Sequence, residues 1–330
     1  MPQNSALTET GTGYILVHVD EHLNNALLTR IAWLYYYEDK SQQEIGELLG
    51  IPRIKVVRLL KVIREKKIVE IKIAPRYISL FELEKEFGEV SGLSDVTIVP
   101  TGGSAPDNVA YAASLRFTEL CKKYESIGVG SSRAVSAALS LVEPMKKKAV
   151  QRVVSLTGNT MPNFAVNPSN PVAGGIFLSR TLGIDYFNIW APAVASTPEI
   201  AGMLRKDHVV ASTLAMANSV QCAMIGLGDV RHSVLAARGF IDQAELDAMA
   251  AAGAIGDVFT HFFDIGGKRV PTCLDGRSIT ADVPMPYPVV AVAYGEDKVR
   301  PIVGAIRGKF VSGLVTDEKT ALAVLEIMRG

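Results

Sequence analysis

From residue 95 to the end of the chain, short apolar runs rich in β-branched residues alternate with stretches of helical periodicity. Seven runs predict strands, at Val96–Pro100, Ile127–Gly130, Val153–Thr157, Tyr186–Trp190, Ala223–Leu227, Val289–Tyr294 and Val311–Thr316. Continuous apolar strands separated by helices are typical of a parallel sheet with helices on both faces. The sequence therefore predicts a doubly wound, mostly parallel α/β domain over residues 95–330.

The stretches between these strands have apolar residues three and four positions apart, which predicts helices. They lie at Asn108–Lys122, Ser132–Leu141, Pro198–Lys206, Ala244–Ala252, Lys298–Arg307 and Glu318–Met328. A chain of 330 residues, 48% of them apolar, exceeds what one hydrophobic core usually serves. We therefore expect a further, smaller domain ahead of the α/β domain.

Residues 24–76 carry start and stop signals for two short helices. Ser41 and Glu44 have the spacing of a capping box, and Gly50 stands where the first of these helices would end. A second amphipathic helix is predicted to begin at Pro52. Two helices joined by a short glycine-containing turn are typical of a helix-turn-helix.

The second helix carries a local excess of positive charge in a chain whose formal net charge is zero. From residue 51 to residue 76 there are nine Lys and Arg residues and two acids, a balance of 9 − 2 = +7. A strand-like run at residues 68–73 would form a wing. A helix fits the major groove of B-DNA, where its first side chains reach base edges and its basic residues hold phosphates. We therefore predict a winged helix-turn-helix over residues 24–76 that binds double-stranded operator DNA. Its expected contact residues are Gln42, Gln43, Arg53, Ile54, Lys55, Arg58 and Lys61.

Two other segments precede the α/β domain. Residues 77–94 have apolar residues at helical spacing, which predicts a linker helix, and residues 1–23 form an N-terminal arm without an assigned role. Because operators are usually read by dimers, the linker helix is a candidate for contact between copies of the chain. An ordinary packing helix is the alternative.

Gly128, Gly130, Ser131 and Ser132 close one predicted strand and lead into a helix. Such a turn directs backbone N–H groups and two hydroxyls at one point, which suits a phosphate, and Arg133 adds a positive charge. The dinucleotide fingerprint fails because no third glycine follows at its spacing and because the next strand ends without an acidic residue. The Walker pattern also fails, since no Gly-Lys-Ser/Thr follows. We predict an anion site here, with a tight structural turn as the alternative.

Further polar residues stand near the ends of predicted strands. They are Gly158, Asn159 and Thr160 after one strand, Asp229 after another, Asp264 after an apolar run, and Lys309 ahead of the last strand. In open α/β sheets, ligands bind beyond the carboxyl ends of the strands. The carboxylates could serve acid–base chemistry or accept hydrogen bonds from sugar hydroxyls, and Lys309 could neutralise a phosphate.

Cysteine use and hydropathy exclude several classes of protein. Cys121, Cys222 and Cys273 are far apart and form no cluster with histidine, so we expect neither a metal site nor a cofactor. The sequence shows no secretory signal pattern and no apolar run of membrane-spanning length. We therefore expect a cytoplasmic protein without a membrane partner.

A series of short motifs runs through the chain in a characteristic order. In the first part they are Ile31–Tyr36, Ser41–Ile45, Leu49–Ile51, Val57–Leu60 and Lys67–Ile71. Farther on they are Ile127–Gly130, Ala191–Ala193, Ile225–Gly228, Gly253–Asp257, Phe262–Asp264 and Gly313–Ala321. With these motifs the chain resembles the SorC-type family of bacterial sugar-responsive transcriptional regulators, which are also placed with the DeoR-like effector-domain proteins. The resemblance covers nearly the whole chain from about residue 25.

This resemblance implies a winged helix-turn-helix followed by an effector domain related in fold to sugar-phosphate isomerases and deaminases. It also implies a homo-oligomer, a dimer or tetramer, whose affinity for DNA changes when a phosphorylated sugar or polyol binds. Such a regulator would govern an operon for sugar catabolism or transport. By the same resemblance Gly130, Ser131 and Ser132 contact the phosphate, Asp264 holds a sugar hydroxyl, and Lys309 meets a phosphate or sugar oxygen.

The second helix of the helix-turn-helix departs from the pattern of this family. It carries Pro52, Ile54, Lys55 and Val57 where family members commonly have serine and threonine. Base contacts are therefore not carried over from the family to these positions.

An enzyme is the alternative to a regulator. A sugar-phosphate isomerase or deaminase with an accessory helical domain could draw a base from Asp229, Asp257, Asp264 or His261. The sequence offers no compact set of acid, base and orienting group, so we expect no enzymatic activity. The identity of the sugar, and the choice between repression and activation, stay open at this point.

Overall fold

The computed structural model describes residues 7–10, 13–16, 21–69, 75–160 and 171–330. Packing divides the chain into two units, Met1–Ala74 and Pro75–Gly330. In the described part of the chain, no helix combines the length and the apolar character that crossing a bilayer requires.

The first unit contains a small hairpin and three helices. The hairpin pairs β1 (Leu7–Thr10) with β2 (Gly13–Leu16) in antiparallel register. The helices are α1 (Glu21–Tyr36), α2 (Gln42–Leu49) and α3 (Arg53–Glu65). Their core consists of Leu28, Ile31, Ala32, Ile45, Val56, Leu60 and Ile63. Each helix therefore contributes an apolar face to one shared core.

The predicted boundaries of α2 are confirmed. The Ser41 hydroxyl accepts from the N–H of Glu44, and the Glu44 carboxylate accepts from the N–H of Ser41, which completes the capping box. Gly50 ends the helix with a φ of 64°, a left-handed conformation that glycine adopts without strain. The helix predicted from Pro52 is α3, with Pro52 at its N-cap. The predicted wing at residues 68–73 falls mostly outside the described residues.

The second unit is built on a seven-stranded sheet. Its strands are β3 (Asp95–Val99), β4 (Ser126–Val129), β5 (Arg152–Asn159), β6 (Asp185–Pro192), β7 (Cys222–Ile225), β11 (Val289–Val292) and β12 (Gly313–Asp317). They lie in the order β3-β12-β11-β7-β4-β5-β6, and every neighbouring pair is parallel. The seven predicted strands and the doubly wound parallel fold are confirmed.

Helices cover both faces of this sheet. They are α4 (Pro75–Ser91), α5 (Ala105–Lys123), α6 (Arg133–Leu139), α7 (Pro171–Leu182), α8 (Pro198–Lys206), α9 (His208–Asn218), α12 (Val299–Arg307) and α13 (Glu318–Arg329). Two further helices of this unit, α10 (Val234–Ala237) and α11 (Gln243–Ala251), pack elsewhere. Successive strand residues enter different cores: Ala223 and Ile225 join the core with α4, α12 and α13, whereas Cys222 and Met224 join the core with α5, α6 and α7. This alternation explains why the strands are apolar throughout.

Leu80, Leu83 and Phe87 of α4 are buried in the core of the second unit. The Glu84 carboxylate on the same helix accepts a hydrogen bond of 2.8 Å from the N–H of Ile98 on the edge strand β3. The segment predicted as a linker helix thus packs on the sheet, in keeping with the packing alternative.

A second, small sheet was not predicted from the sequence. It consists of β8 (Gly228–Asp229), β9 (Gly256–Val258) and β10 (His261–Phe263), paired antiparallel in the order β10-β9-β8. Its strands have two or three residues each, too few for a period-2 pattern to be recognised. This sheet packs with α10 and α11 around Val230, Leu235, Ile241, Leu246 and Phe262.

Replacing Gly46 by alanine is expected to destabilise the helix-turn-helix. A Cβ at this position of α2 would stand 2.7 Å from the carbonyl oxygen of Ile51, so the turn before α3 would have to shift. Overpacking of this kind costs about 1–3 kcal/mol. Urea unfolding followed by circular dichroism measures the change relative to the wild-type chain.

The matched control is Gly202→Ala in α8, where a Cβ meets nothing within 4 Å. It should leave the free energy of unfolding unchanged or raise it by up to about 1 kcal/mol through helix propensity. Equal changes in the Gly46 and Gly202 variants would contradict the packing argument.

Candidate functional site

A cavity of about 760 Å³ opens at the carboxyl edge of the large sheet. The chain order reverses there, because β4 leads outward to β5 and β6 while the neighbouring β7 leads the other way to β11 and β12. Ligand sites of open α/β sheets lie at such a switch point. The lining residues fit this position: Ser131, Ser132 and Arg133 follow β4, and Gly226 and Leu227 follow β7.

The turn after β4 is held in place on both sides. The N–H of Gly130 donates to the carbonyl of Met224 at 2.9 Å. The Ser132 hydroxyl accepts from the N–H of Val135 at 3.0 Å and so caps α6. A side chain at Gly226 would collide with Ser132, so glycine at that position makes room for the serine.

Two guanidinium groups, those of Arg133 and Arg238, line the cavity. Arg238 donates to both the hydroxyl and the carbonyl of Thr160, and the Thr160 hydroxyl is 3.0 Å from that of Ser131. Burial, and then the charge of Arg133, lower the pKa of Arg238. Within the described ranges, no carboxylate forms an ion pair with either arginine. The two charges are therefore available to an anion.

A buried carboxyl lies on another wall of the cavity. Burial raises the pKa of Asp257 to about 7, Lys298 opposes this shift, and Asp229 adds to it. A Cβ at Gly228 would overlap the carboxylate of Asp257, so glycine at this position leaves room for that side chain. Asp229 itself accepts from the backbone N–H of His232 at 3.0 Å and lies 3.0 Å from its ring Nδ1. Asp229 thus orients a histidine that lines the cavity.

Two aromatic residues, Phe259 and Tyr294, and the hydroxyls of Thr157 and Thr260 also belong to the lining. Phe259 occupies the two-residue turn between β9 and β10 with a φ of 62°, a conformation that costs non-glycine residues about 1 kcal/mol or more. Burial raises the pKa of Tyr294, and the nearby Arg133 opposes that shift. The hydroxyls of Thr157 and Thr260 are buried without a hydrogen-bond partner among the described residues.

The structure brings only some of the predicted ligand residues to the cavity. Ser131, Ser132, Arg133 and Thr160 line it. Five others stand behind the lining, in the strands and turns that carry it: Gly128, Gly130, Gly158, Asn159 and Asp229.

The glycines of this second group are explained by close packing. Gly128 lies inside β4, where a Cβ would meet the side chain of Leu156. A Cβ at Gly158 would meet the backbone carbonyls of the neighbouring strand β6. Asn159 is buried at the end of β5. These residues therefore shape the floor of the cavity from behind.

Asp264 and Lys309 lie away from the cavity. The Asp264 carboxylate accepts from the N–H groups of Gly266 and Lys268 at 2.9 Å, which closes a turn after β10. Lys309 follows α12 and precedes β12, and so lies at the amino edge of the parallel sheet. The cavity is at the opposite edge, where its lining includes Lys298 ahead of α12, whose Nζ lies 3.3 Å from a carboxylate oxygen of Asp297.

Sequence reasoning missed Arg238, His232, Tyr294 and Lys298 as site residues, and it named Asp257 only as a candidate base. Tyr294 is the last residue of the predicted strand that corresponds to β11, and Lys298 follows that strand, so the rule that ligands bind at strand ends would have found both. No local signal marks Arg238, since only the tertiary fold brings it to the end of β5.

The outer surface of α3 carries most of the predicted DNA contacts. Arg53, Ile54, Lys55, Arg58 and Lys61 are all exposed, away from the buried face of the helix. The Lys61 Nζ lies 3.8 Å from a carboxylate oxygen of Glu65. Gln43, on α2, is also exposed and donates to Glu47 at 2.9 Å, while Gln42 is half-buried.

Comparison with known proteins places the chain among regulators. Residues 75–326 match the Sugar-bind family model, which describes a sugar-binding domain. The transcriptional regulator LsrR of Klebsiella pneumoniae is 30% identical over 310 residues, 91% of this chain and 93% of that protein. The erythritol catabolism regulatory protein EryD of Brucella abortus is 27% identical over 310 residues, 92% of this chain and 97% of that protein.

A solved structure has the same fold. The full-length sorbitol operon regulator SorC of Klebsiella pneumoniae superposes with a TM-score of 0.71 over 93% of this chain and 100% of that one. The two sequences are 23% identical, so this likeness bears on the fold alone.

Replacing Asp257 by asparagine is expected to flatten the dependence of stability on pH. The folded chain keeps the Asp257 proton up to about pH 7, whereas the unfolded chain releases it near its ordinary pKa of 3.8. The free energy of unfolding should therefore fall as pH rises through this interval in the wild type, and less so in the variant. Urea unfolding without ligand at about pH 5 and about pH 8, on either side of the folded-state pKa, measures both slopes.

Asp247→Asn on the exposed side of α11 removes the same charge and serves as the control. The free energy of unfolding of this variant should fall with rising pH as it does in the wild type. If the free energy of unfolding of the Asp257 variant falls with pH as steeply as that of the wild type, this carboxyl is not the source of the pH dependence.

Proposed function

The chain belongs to the SorC-type family of sugar-binding transcriptional regulators, and on that premise we propose which small molecule it senses and how it contacts DNA. In this proposal α3 binds operator DNA, and a phosphorylated sugar or polyol in the cavity controls the affinity for that DNA. The observation that carries the proposal is the pair of arginines without ion-pair partners among the described residues, at the switch point of the sheet.

A phosphate fits the wall formed by Arg133, Arg238 and Ser131. Guanidinium groups bind phosphate oxygens through charge-assisted hydrogen bonds, which are stronger than those between neutral groups. The hydroxyls of Ser131 and Thr160 are hydrogen-bonded to each other, so the pair adds one O–H donor beside the two charges. A neutral sugar would leave both charges unsatisfied, and therefore the phosphorylated form is favoured.

Another part of the cavity lining suits the hydroxyls of a sugar or polyol. Asp257 and His232 supply acceptors, Lys298 supplies a donor, and Phe259 offers an apolar surface for the carbon skeleton. At about 760 Å³ the cavity is within the range of small-molecule sites. Asp264 and Lys309 have no part in this proposed ligand site.

The DNA contacts follow from the charge and exposure of α3. Its inner face fills the core of the first unit, so its basic outer face is free to meet the phosphate backbone and the major groove. A regulator of operator DNA works where bacterial DNA is, in the cytoplasm. Since operators are commonly two-fold symmetric, we propose that the chain acts as a homo-oligomer, a dimer or tetramer.

Control of DNA binding requires the ligand to have different affinities for the DNA-competent and DNA-incompetent states. The ligand shifts the equilibrium between these states by no more than this difference in affinity. The named relatives are regulators, which supports this function over that of a sugar-phosphate isomerase or deaminase.

The test is a binding titration with the purified full-length chain. Duplexes from the promoter beside its own gene are titrated at about 50 mM salt, where phosphate contacts are strong, with and without a panel of pentose, hexose and polyol phosphates. We expect specific binding that at least one of these compounds weakens or strengthens. Absence of any specific duplex would refute the proposal, and turnover of a sugar phosphate would favour the enzyme.

Replacing Arg238 by glutamine is expected to weaken ligand binding about tenfold or more, because a charge-assisted hydrogen bond is lost. The shift in melting temperature produced by the active sugar phosphate should shrink accordingly. Calorimetric titration gives the affinity directly. Arg231→Gln, an exposed residue outside the cavity lining, should keep the wild-type shift. Equal affinity in both variants would exclude Arg238 from the site.

Replacing Arg58 by alanine is expected to weaken DNA binding about tenfold and to reduce its salt dependence, since one positive charge leaves the DNA-facing surface. The thermal shift caused by the sugar phosphate should persist. Fluorescence anisotropy between about 50 and 200 mM salt measures both quantities. Arg30→Ala removes the same charge from the exposed surface of α1 and should have a much smaller effect. Loss of ligand response in the Arg58 variant would contradict separate sites.

A further inference from the structure

Two apolar side chains lie in the middle of the basic face of α3. Ile54 is 69% exposed and Val57 is 43% exposed. With Arg58 and Lys61 they form one stripe, because positions three, four and seven apart lie on the same side of a helix. The stripe faces away from the core residue Val56.

The packing of the first unit does not explain why these two residues are apolar. Val56, Leu60 and Ile63 already supply the buried face of α3. Lysine, glutamine and alanine have equal or better helix propensity than isoleucine and valine. Helix propensity therefore does not explain the apolar residues at these two positions either. An exposed isoleucine at the start of this helix is therefore free to contact an apolar group outside the unit.

The charges around the stripe identify the chemistry of a partner for this face. Arg53, Lys55, Arg58 and Lys61 surround Ile54 and Val57, and α3 as a whole carries five basic residues and one acid, a balance of 5 − 1 = +4. A polyanion is therefore expected against this face, with an apolar group that meets its centre. In the major groove of B-DNA, the C5-methyl of thymine is the apolar group that base edges present.

We infer that Ile54 and Val57 read thymine methyl groups in the operator half-site. This inference rests on the proposed function, and it assigns to α3 a hydrophobic part of its base recognition. Residues at the start of a recognition helix contact base edges. Residues three apart rise by about 4.5 Å along a helix, close to the roughly 3.4 Å between neighbouring base pairs. The two side chains can thus contact methyl groups on neighbouring base pairs.

The test removes single methyl groups from the DNA. An operator is first selected from random duplexes with the full-length chain, and each thymine is then replaced by deoxyuridine, which keeps every hydrogen-bonding group. At two neighbouring positions per half-site the dissociation constant should rise about fourfold, the effect of one buried methyl group. At the other positions it should stay unchanged.

Alanine variants assign each methyl group to a side chain. Ile54→Ala should abolish the deoxyuridine effect at one position, and Val57→Ala should abolish it at the neighbouring one. Both sites are exposed on a helix, where alanine is well tolerated, so the fold should be kept. Leu48→Ala is the control, because Leu48 is 62% exposed and lies on α2, outside the stripe. This variant should show the deoxyuridine effect at both positions.

The outcomes separate the inference from the proposed function. A selective operator whose affinity is unaffected by deoxyuridine would overturn the inference alone. Deoxyuridine effects that persist in both alanine variants would also overturn it. If the chain binds no duplex, or binds another protein or a lipid surface through this face instead, the proposed function fails together with the inference.

Discussion

The reversal of strand order between β4 and β7 is the constraint on which the site depends. The connections of these two neighbouring parallel strands run in opposite directions. A crevice therefore forms beyond the carboxyl ends of the strands. The turns after β4 and β7 form the floor of this crevice, and the small antiparallel sheet and α10 supply other walls. The order of the strands therefore creates a cavity at this position, whichever side chains line it.

Topology also explains which parts of the site could be predicted. The turn at residues 131–133 was found because strand, turn and helix are consecutive in sequence. Arg238 could not be found in this way, since it reaches Thr160 across 78 positions of sequence. Lys309 stands close to a predicted strand in the sequence, but a residue ahead of a parallel strand lies at the amino edge. Lys298, which follows β11, has the position at the carboxyl edge that Lys309 lacks.

The helices of the first unit were predictable for a different reason. Their boundaries depend on local hydrogen bonds and backbone angles, such as the reciprocal bonds of Ser41 and Glu44 and the left-handed Gly50. The small sheet of the second unit has no such local signals. Its strands are stabilised by pairing with one another and by the packing of Phe262 and Leu235, which only the folded chain brings together.

The helix-turn-helix has a hydrophobic core of its own, whose buried residues in the described part of the chain lie between Leu28 and Ile63. The two large cores of the α/β unit are built from other residues. Among the described residues, the core that packs α3 shares no member with the two cores of the α/β unit. Over evolutionary time, the buried residues of one core can therefore change without compensating changes among the buried residues of the others.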